Sequence, residues 1–134
     1  MNNHAHSPNL EAGGTIRPYR FIKINTAADN QGLEADANDT VIGVVAGSTR
    51  QHDSSNHAED GDMITLQTGN VVTVECGGSV TRGAPLESDA DGKAVSQTVN
   101  TTNRRIGGFA LESGASGSII RMLWQPYFIR HNLS

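Results

Sequence analysis

The chain has 134 residues, which is enough for one domain but not for two. Leu, Ile, Val and Phe make up 28 of these residues and glycine another 15, a composition that favours short strands and tight turns over long helices. The net charge of −4 argues against a nucleic acid as the main partner, and no apolar run approaches the roughly 18 residues of a membrane helix.

The charge is unevenly distributed along the chain. Residues 1–28 carry a net charge of +2, residues 29–91 a net charge of −10 and residues 92–134 a net charge of +4. The acidic middle has two interpretations: it keeps the protein soluble, or it lets neighbouring copies meet through surfaces of opposite charge. The amino end has no basic start and no apolar stretch, so we expect no signal peptide. The single cysteine leads us to expect synthesis in a reducing cytoplasm.

The first half of the chain predicts an arm followed by short strands. Residues 1–15 are polar and without periodicity, which predicts a flexible amino-terminal arm. Tyr19–Ile24 predicts a strand and Asn25–Asp39 a polar loop. Thr40–Ala46 is apolar almost throughout and predicts a strand buried on both faces. Gly47–Gly61 predicts a long polar loop.

The middle of the chain has the clearest alternation of apolar and polar residues. Ile64–Leu66 and Val72–Val74 both alternate, and Gly69-Asn70 between them supplies the positive-φ residues of a tight turn. We therefore predict a hairpin here. Ser79–Arg82 predicts one helical turn, and Gly83 is able to end it.

The last third predicts further strands and a tail. Ala84–Leu86 restarts an extended segment, and Asp91-Gly92 predicts a turn. Two more strands are predicted, Ile106–Leu111 and Ser118–Trp124. In the remaining residues, 125–134, Pro126 argues against a helix or a central strand.

These segments together predict a mainly β protein. We expect a small, compact β-barrel or sandwich of six to seven short strands with at most one or two helical turns. Its parts are a flexible arm over residues 1–15, a β-rich domain over residues 16–124 and a carboxy-terminal tail over residues 125–134. The glycine pairs 77-78 and 107-108 indicate bulges or close backbone approach.

One acidic stretch resembles the start of a calcium loop. Glu87, Asp89 and Asp91 alternate ahead of Gly92, but the twelfth position is Thr98 rather than a bidentate glutamate. No helix pattern flanks the stretch, so a solvated β-turn is the favoured interpretation.

The histidines and the single cysteine also invite a search for chemistry. The five histidines lie at positions 4, 6, 52, 57 and 131, in an arm, a loop and a tail that would not hold zinc ligands rigidly. Cys76 follows an apolar strand and precedes two glycines, which is typical of a small core residue rather than of a nucleophile. It also excludes an internal disulfide. We expect no enzyme activity, no metal and no cofactor.

Three of the six aromatic residues lie close together near the carboxyl end. Trp124, Tyr127 and Phe128 fall within five residues, and each buries about 150–250 Å² when packed. Two interpretations stay open: these rings plug the end of the subunit's own barrel, or they pack on a neighbouring subunit or another partner.

A resemblance emerges when the segments are taken in chain order. The order and spacing of glycine turns and valine-rich strands over residues 16–124 resemble the small capsid cement, or head decoration, proteins of tailed bacteriophages, in the branch often labelled a domain of unknown function. The segments that carry it are Phe21–Lys23, Val41–Val44, Ala58–Asp62, Gly69–Val74, Gly77–Leu86, Asp89–Val95, Ile106–Glu112 and Gly117–Leu123.

The resemblance implies a structural protein of the virion. Such a protein would sit on the outside of the icosahedral head as a homotrimer at three-fold positions, bind the major capsid protein and stabilise the shell against internal DNA pressure. It implies no nucleic-acid partner and no membrane. The loop that contains His52 and the tail depart from the family pattern and inherit no role from it.

Candidate contact residues come from the arm and the tail. Family members often use an amino-terminal arm to touch the shell, which implicates Leu10, Thr15 and Arg17; the tail adds Trp124, Tyr127 and Phe128. The alternative function is a small carbohydrate- or surface-binding, adhesin-like β module, which would need an exposed aromatic platform. A small hydrolase is a weaker third option.

Overall fold

Residues 9–46, 57–99 and 101–130 are described by the computed structural model, and they form ten strands and no helix. The strands are β1 (Asn9–Ala12), β2 (Phe21–Ile24), β3 (Gln31–Glu34), β4 (Gly43–Val44), β5 (Met63–Thr65), β6 (Val71–Glu75), β7 (Pro85–Ser88), β8 (Ala94–Ser96), β9 (Arg104–Ala110) and β10 (Ile119–Ile129). The prediction of a mainly β fold is confirmed, with more strands than expected. The described residues therefore contain no helix that could span a membrane.

The first sheet closes on itself. Its strand order is β4-β2-β3-β1-β5. Val45, just after β4, forms an antiparallel bridge with Leu66, just after β5. Backbone hydrogen bonds of 2.9 Å run on both sides of this bridge, from Ala46 N to Thr65 O and from Gln67 N to Val44 O. The result is a small barrel filled by apolar side chains.

The second sheet is antiparallel and covers one side of this barrel. Its order is β6-β10-β9-β7-β8. Successive side chains of a strand point to opposite faces, so β2 and β4 serve two cores. Phe21 and Val44 face the second sheet, whereas Ile22 and Val45 fill the barrel. The prediction that the segment around Val44 is buried on both faces is therefore confirmed.

Residues 9–15 belong to the folded body, which corrects the prediction of a flexible arm over residues 1–15. β1 lies between β3, which runs parallel to it, and β5, which runs antiparallel. Ala12 is fully buried in the barrel. A mostly polar strand is stable here because strands on both sides satisfy its backbone groups. Residues 1–8 lie outside the described residues.

The predicted polar loop over residues 25–39 contains a strand. β3 pairs with β2 in an antiparallel hairpin, and Asn30 in the connecting turn has a φ of 58°. The apolar alternation that marks a strand is missing because Gly32 occupies a position facing the barrel. A Cβ there would lie 2.8 Å from Ile22 Cγ2, so the crowded barrel leaves no room for a side chain.

The predicted hairpin between β5 and β6 is wrong, although both strands exist. β5 pairs with β1 in the barrel, and β6 pairs with β10 in the second sheet. The turn between them does need glycine, since Gly69 has a φ of 94°. The Gln67 side chain holds the crossing, because its Oε1 accepts from Thr73 N at 2.9 Å and its Nε2 donates to Thr73 O at 2.6 Å.

Two turn predictions had different outcomes. The helical turn at Ser79–Arg82 is absent: Val80 bridges to Gly114, and Ala84 N donates to Thr81 O at 3.0 Å across a turn in which Gly83 has a φ of 86°. The turn at Asp91-Gly92 is confirmed, with a φ of 78° at Gly92.

The tail after Trp124 continues the last strand. β10 extends to Ile129, and its pairing with β9 shifts register between Trp124 and Tyr127. Pro126 lies inside this bulge, where its missing N–H interrupts no regular ladder. Opposite the bulge, a Cβ on Gly108 would lie 1.9 Å from Leu123 O, so this position requires the close backbone approach predicted for the glycine pair.

Candidate partner interface

Aromatic side chains cluster on β9 and β10 around the bulge. Tyr127 and Phe128 are 37% and 45% exposed. The Tyr127 ring stacks on Phe109 with centroids 5.6 Å apart and an interplanar angle of 20°. The Arg105 guanidinium lies over the Phe128 ring, 5.1 Å from its centroid. We call these four residues the aromatic end of the second sheet.

An apolar row extends from the aromatic end across the outer face of the sheet. Leu123 pairs with Val71 on one side and with Phe109 on the other, and Phe109 pairs with Pro85. Directly paired residues share a face. The next residue along each strand belongs to the intersheet core in β6, β7 and β9, so these four residues face outward. Val71 is 50% exposed.

Two clefts meet beside the aromatic end. A cleft of about 220 Å³ is lined by Val41, Ile106, Pro126 and the aromatic residues 127 and 128. A larger cleft of about 620 Å³ is lined mainly by residues of β2, β3 and the segment 38–42. Thr40 and Arg105 line both clefts, so the two clefts are adjacent.

The six residues expected to contact a partner fall into separate surroundings. Leu10 is partly buried and packs against the barrel core, while Thr15 is exposed. Arg17 donates to the Glu34 carboxylate from Nε at 3.0 Å and from Nη2 at 2.8 Å, and this hydrogen bonding raises the pKa of Arg17. These contacts occupy its guanidinium within the protein itself.

The tail aromatics divide between the two interpretations that the sequence left open. Trp124 is partly buried and packs against the intersheet core, as a residue that closes the subunit's own fold would. Tyr127 and Phe128 stay exposed and are available to a partner. Only these two of the six candidates belong to the aromatic end.

Sequence inspection missed Arg105 and Phe109. Arg105 is the last residue of a polar segment, and no local sequence pattern distinguishes it from other surface arginines. Phe109 carried a usable signal, because it alternates with the core residue Ala110 on β9 and had to face outward.

The acidic stretch around Asp89 forms a turn and an ion pair. Asp89 Oδ1 accepts from the backbone N of Asp91 at 2.8 Å and of Lys93 at 2.9 Å. Glu87 is buried and accepts from Arg104 Nε at 2.9 Å. No group of three or more His, Cys, Asp or Glu side chains in the described residues could hold a metal. His4, His6, His52 and His131 lie outside those residues.

The Cys76 thiol is fully enclosed by the fold. It has no exposed surface and belongs to the intersheet core. Burial, together with the charge of Glu75, raises the pKa of Cys76. The thiol is therefore kept protonated at neutral pH, as expected for a structural cysteine.

Comparison with known proteins finds similarity at the level of the fold. No protein-family model matches the sequence, and no curated protein matches it significantly. The crystal structure of the N base of head fiber gp8.5 from bacteriophage phi29 matches with a TM-score of 0.69, covering 90% of this chain and 93% of that chain. The sequence identity is 19%, so the likeness shows a shared fold.

Proposed function

We propose that this protein is a structural protein of a phage head, bound as a decoration or cement protein to the outside of the shell. The single observation that carries the proposal is the fold shared with the phi29 head fiber base over 90% of the chain. The sequence resemblance to head decoration proteins points the same way. The protein acts by binding and has no catalytic role.

The aromatic end supports a role in binding a macromolecule. Exposed rings that adjoin an apolar row on the outer face of a sheet are typical of a protein–protein contact. Binding that bridges shell subunits adds contact area, and this area has to be exposed again before the subunits can separate. The population of ruptured shells falls accordingly.

The proposed assembly is a homotrimer at three-fold positions of the shell, with the major capsid protein as partner. Light scattering over a concentration series tests the oligomeric state, and a mass three times that of the chain is expected. A monomer that persists at high micromolar concentration would contradict a preformed trimer.

The function itself is tested by co-sedimentation with undecorated phage heads. We expect wild-type protein to pellet with the heads and to raise the temperature at which they release DNA. Replacing Tyr127 and Phe128 together by alanine should weaken pelleting at least tenfold, because exposed aromatic anchors dominate such contacts. The matched control is Met63→Ala, which removes an apolar side chain that is 63% exposed on β5 of the barrel. Wild-type protein that stays in the supernatant would contradict the proposed function.

A second candidate function is a carbohydrate- or surface-binding, adhesin-like module. The stacked pair of Phe109 and Tyr127 favours it, since sugar-binding sites use exposed aromatic platforms. A glycan array separates the two functions. Strong binding to one glycan, lost on Tyr127→Ala and without pelleting on heads, would favour the second candidate.

A further inference from the structure

Among the arginines that the structure describes, Arg105 is one of three without a carboxylate partner. Arg17, Arg104 and Arg121 each hold a glutamate. Within the part of the chain that the structure describes, the Arg105 guanidinium makes no ion pair and no side-chain hydrogen bond. Arg82 and Arg130 are likewise without an ion pair there, but they line neither of the two clefts described above.

The surroundings of Arg105 hold it ready to bind an anion. Its backbone N donates to Asn38 Oδ1 at 2.9 Å, and its guanidinium carbon lies over the Phe128 ring, 5.1 Å from the centroid. An aromatic ring stacked on a guanidinium leaves the N–H groups in its plane free. Those N–H groups form a fork that matches the two oxygens of a carboxylate.

The two clefts on either side of Arg105 differ in chemistry. The smaller one is lined by the apolar side chains Val41, Ile106 and Pro126, which suit an apolar side chain of a ligand. The larger one is lined by Ile24, Leu33 and Ile42 as well, but it also presents the amide and hydroxyl groups of Asn25, Thr26, Asn38 and Thr40, which suit the backbone of an extended chain. Among the described residues that line the larger cleft, Asp39 is the one carboxylate. Its Oδ2 forms an ion pair with Lys23 Nζ at 3.3 Å, which neutralises its charge.

We infer that Arg105 is the anchor for a carboxylate side chain on an extended segment of the shell protein. The apolar neighbour of that carboxylate enters the smaller cleft, and the backbone of the segment crosses the larger one. This inference rests on the proposed function and assigns the chemistry of the partner: an acidic residue next to an apolar one in an extended strand.

Co-sedimentation with undecorated heads tests this with two variants of equal net charge, Arg105→Gln and Arg82→Gln. We expect Arg105→Gln to weaken binding about ten- to a hundredfold, the range for losing a charge-assisted hydrogen-bonded pair. Arg82→Gln should change binding less than twofold. Both variants should melt within about 2 °C of the wild type, since neither side chain has an ion pair to lose.

Salt distinguishes a lost charge from lost packing. Since charges are screened within about 3 Å at 1 M salt, the difference between wild type and Arg105→Gln should shrink severalfold there. A difference that stays the same at high salt would overturn the carboxylate assignment, and so would equal binding by Arg105→Gln and wild type. In both cases wild-type pelleting would leave the proposed function intact, whereas wild-type protein that fails to pellet contradicts the function itself.

Discussion

Deleting residues 1–14 should unfold this protein, whereas deleting residues 1–8 should leave it folded. β1 begins at Asn9 and lies inside the barrel between β3 and β5. The shorter deletion keeps the whole strand. The longer one removes it and exposes the edges of two neighbouring strands at once.

The size of the effect follows from the contacts of β1. In addition to the ladder bonds with β3 and β5, four backbone hydrogen bonds join residues 11–13 to the rest of the barrel. They run from Glu11 N to Asn30 O, from Ala12 N to Asp62 O, from Gly13 N to Gly32 O and from Gly61 N to Ala12 O. At about 1 kcal/mol each they contribute about 4 kcal/mol. Burial of Leu10 and Ala12 adds about 2 kcal/mol. A loss of about 6 kcal/mol is comparable to the whole stability of a small domain, about 5–15 kcal/mol.

Urea unfolding followed by circular dichroism checks this prediction. The chain starting at Asn9 should unfold at the wild-type midpoint, and the chain starting at Thr15 should lack a cooperative transition. Thr15→Ala, at an exposed position next to the strand, serves as a control and should match wild type. Cooperative unfolding of the chain from Thr15 at the wild-type midpoint would refute the reasoning and restore the interpretation of residues 9–14 as an arm. Binding of the chain from Asn9 to heads then reports separately on residues 1–8.

Three further predictions concern the second sheet and its core. Gly107→Ala should lower the free energy of unfolding by about 1–3 kcal/mol in chemical denaturation, because the added Cβ would lie 2.7 Å from Phe21 Cε1. The double variant with Phe21→Leu should lose less than the sum of the two single changes, and additive losses would argue against this contact. Because the pKa of Cys76 is raised, the contribution of this thiol to the free energy of unfolding should be fully present below the pKa of a free thiol, about 8.5, and should be lost as pH rises through the pKa of the folded state. Alkylation of Cys76 in the native protein at pH 8 should be far slower than in urea, and equal rates would contradict its burial. The backbone N–H and the side chain of Arg121 lower the pKa of Glu112. The contribution of Glu112 to stability should therefore be lost only as pH falls below the usual range of a carboxyl. Glu112→Gln should flatten the acid side of a plot of unfolding free energy against pH, and an unchanged acid side would contradict this prediction.

The sequence by itself determined the class of the fold and much of its local structure. Glycine-rich punctuation and β-branched runs predicted a helix-poor β domain, and the strands around Phe21, Val44 and Val72 lie where they were expected. Glycine marked the turns at positions 69 and 92, because positive φ angles are a local demand that only the residue's own chemistry meets. The cluster of aromatics near residue 127 was also evident from spacing alone.

Strand pairing was decided only by the tertiary structure. β1 and β3 lack an apolar alternation, and they are strands because the neighbours on each side supply hydrogen-bond partners; both partners of β1 are remote in sequence. β5 and β6 read as one hairpin but separate into two sheets, because each finds a partner far along the chain.

The candidate site likewise depends on long-range register. Arg105 meets Phe128 only because β9 and β10 pair past a bulge that accommodates Pro126. Periodicity along a strand tells which side chains share a face. Which other strand lies beside that face depends on hydrogen bonds and packing between residues distant in the sequence, and no local pattern carries that information.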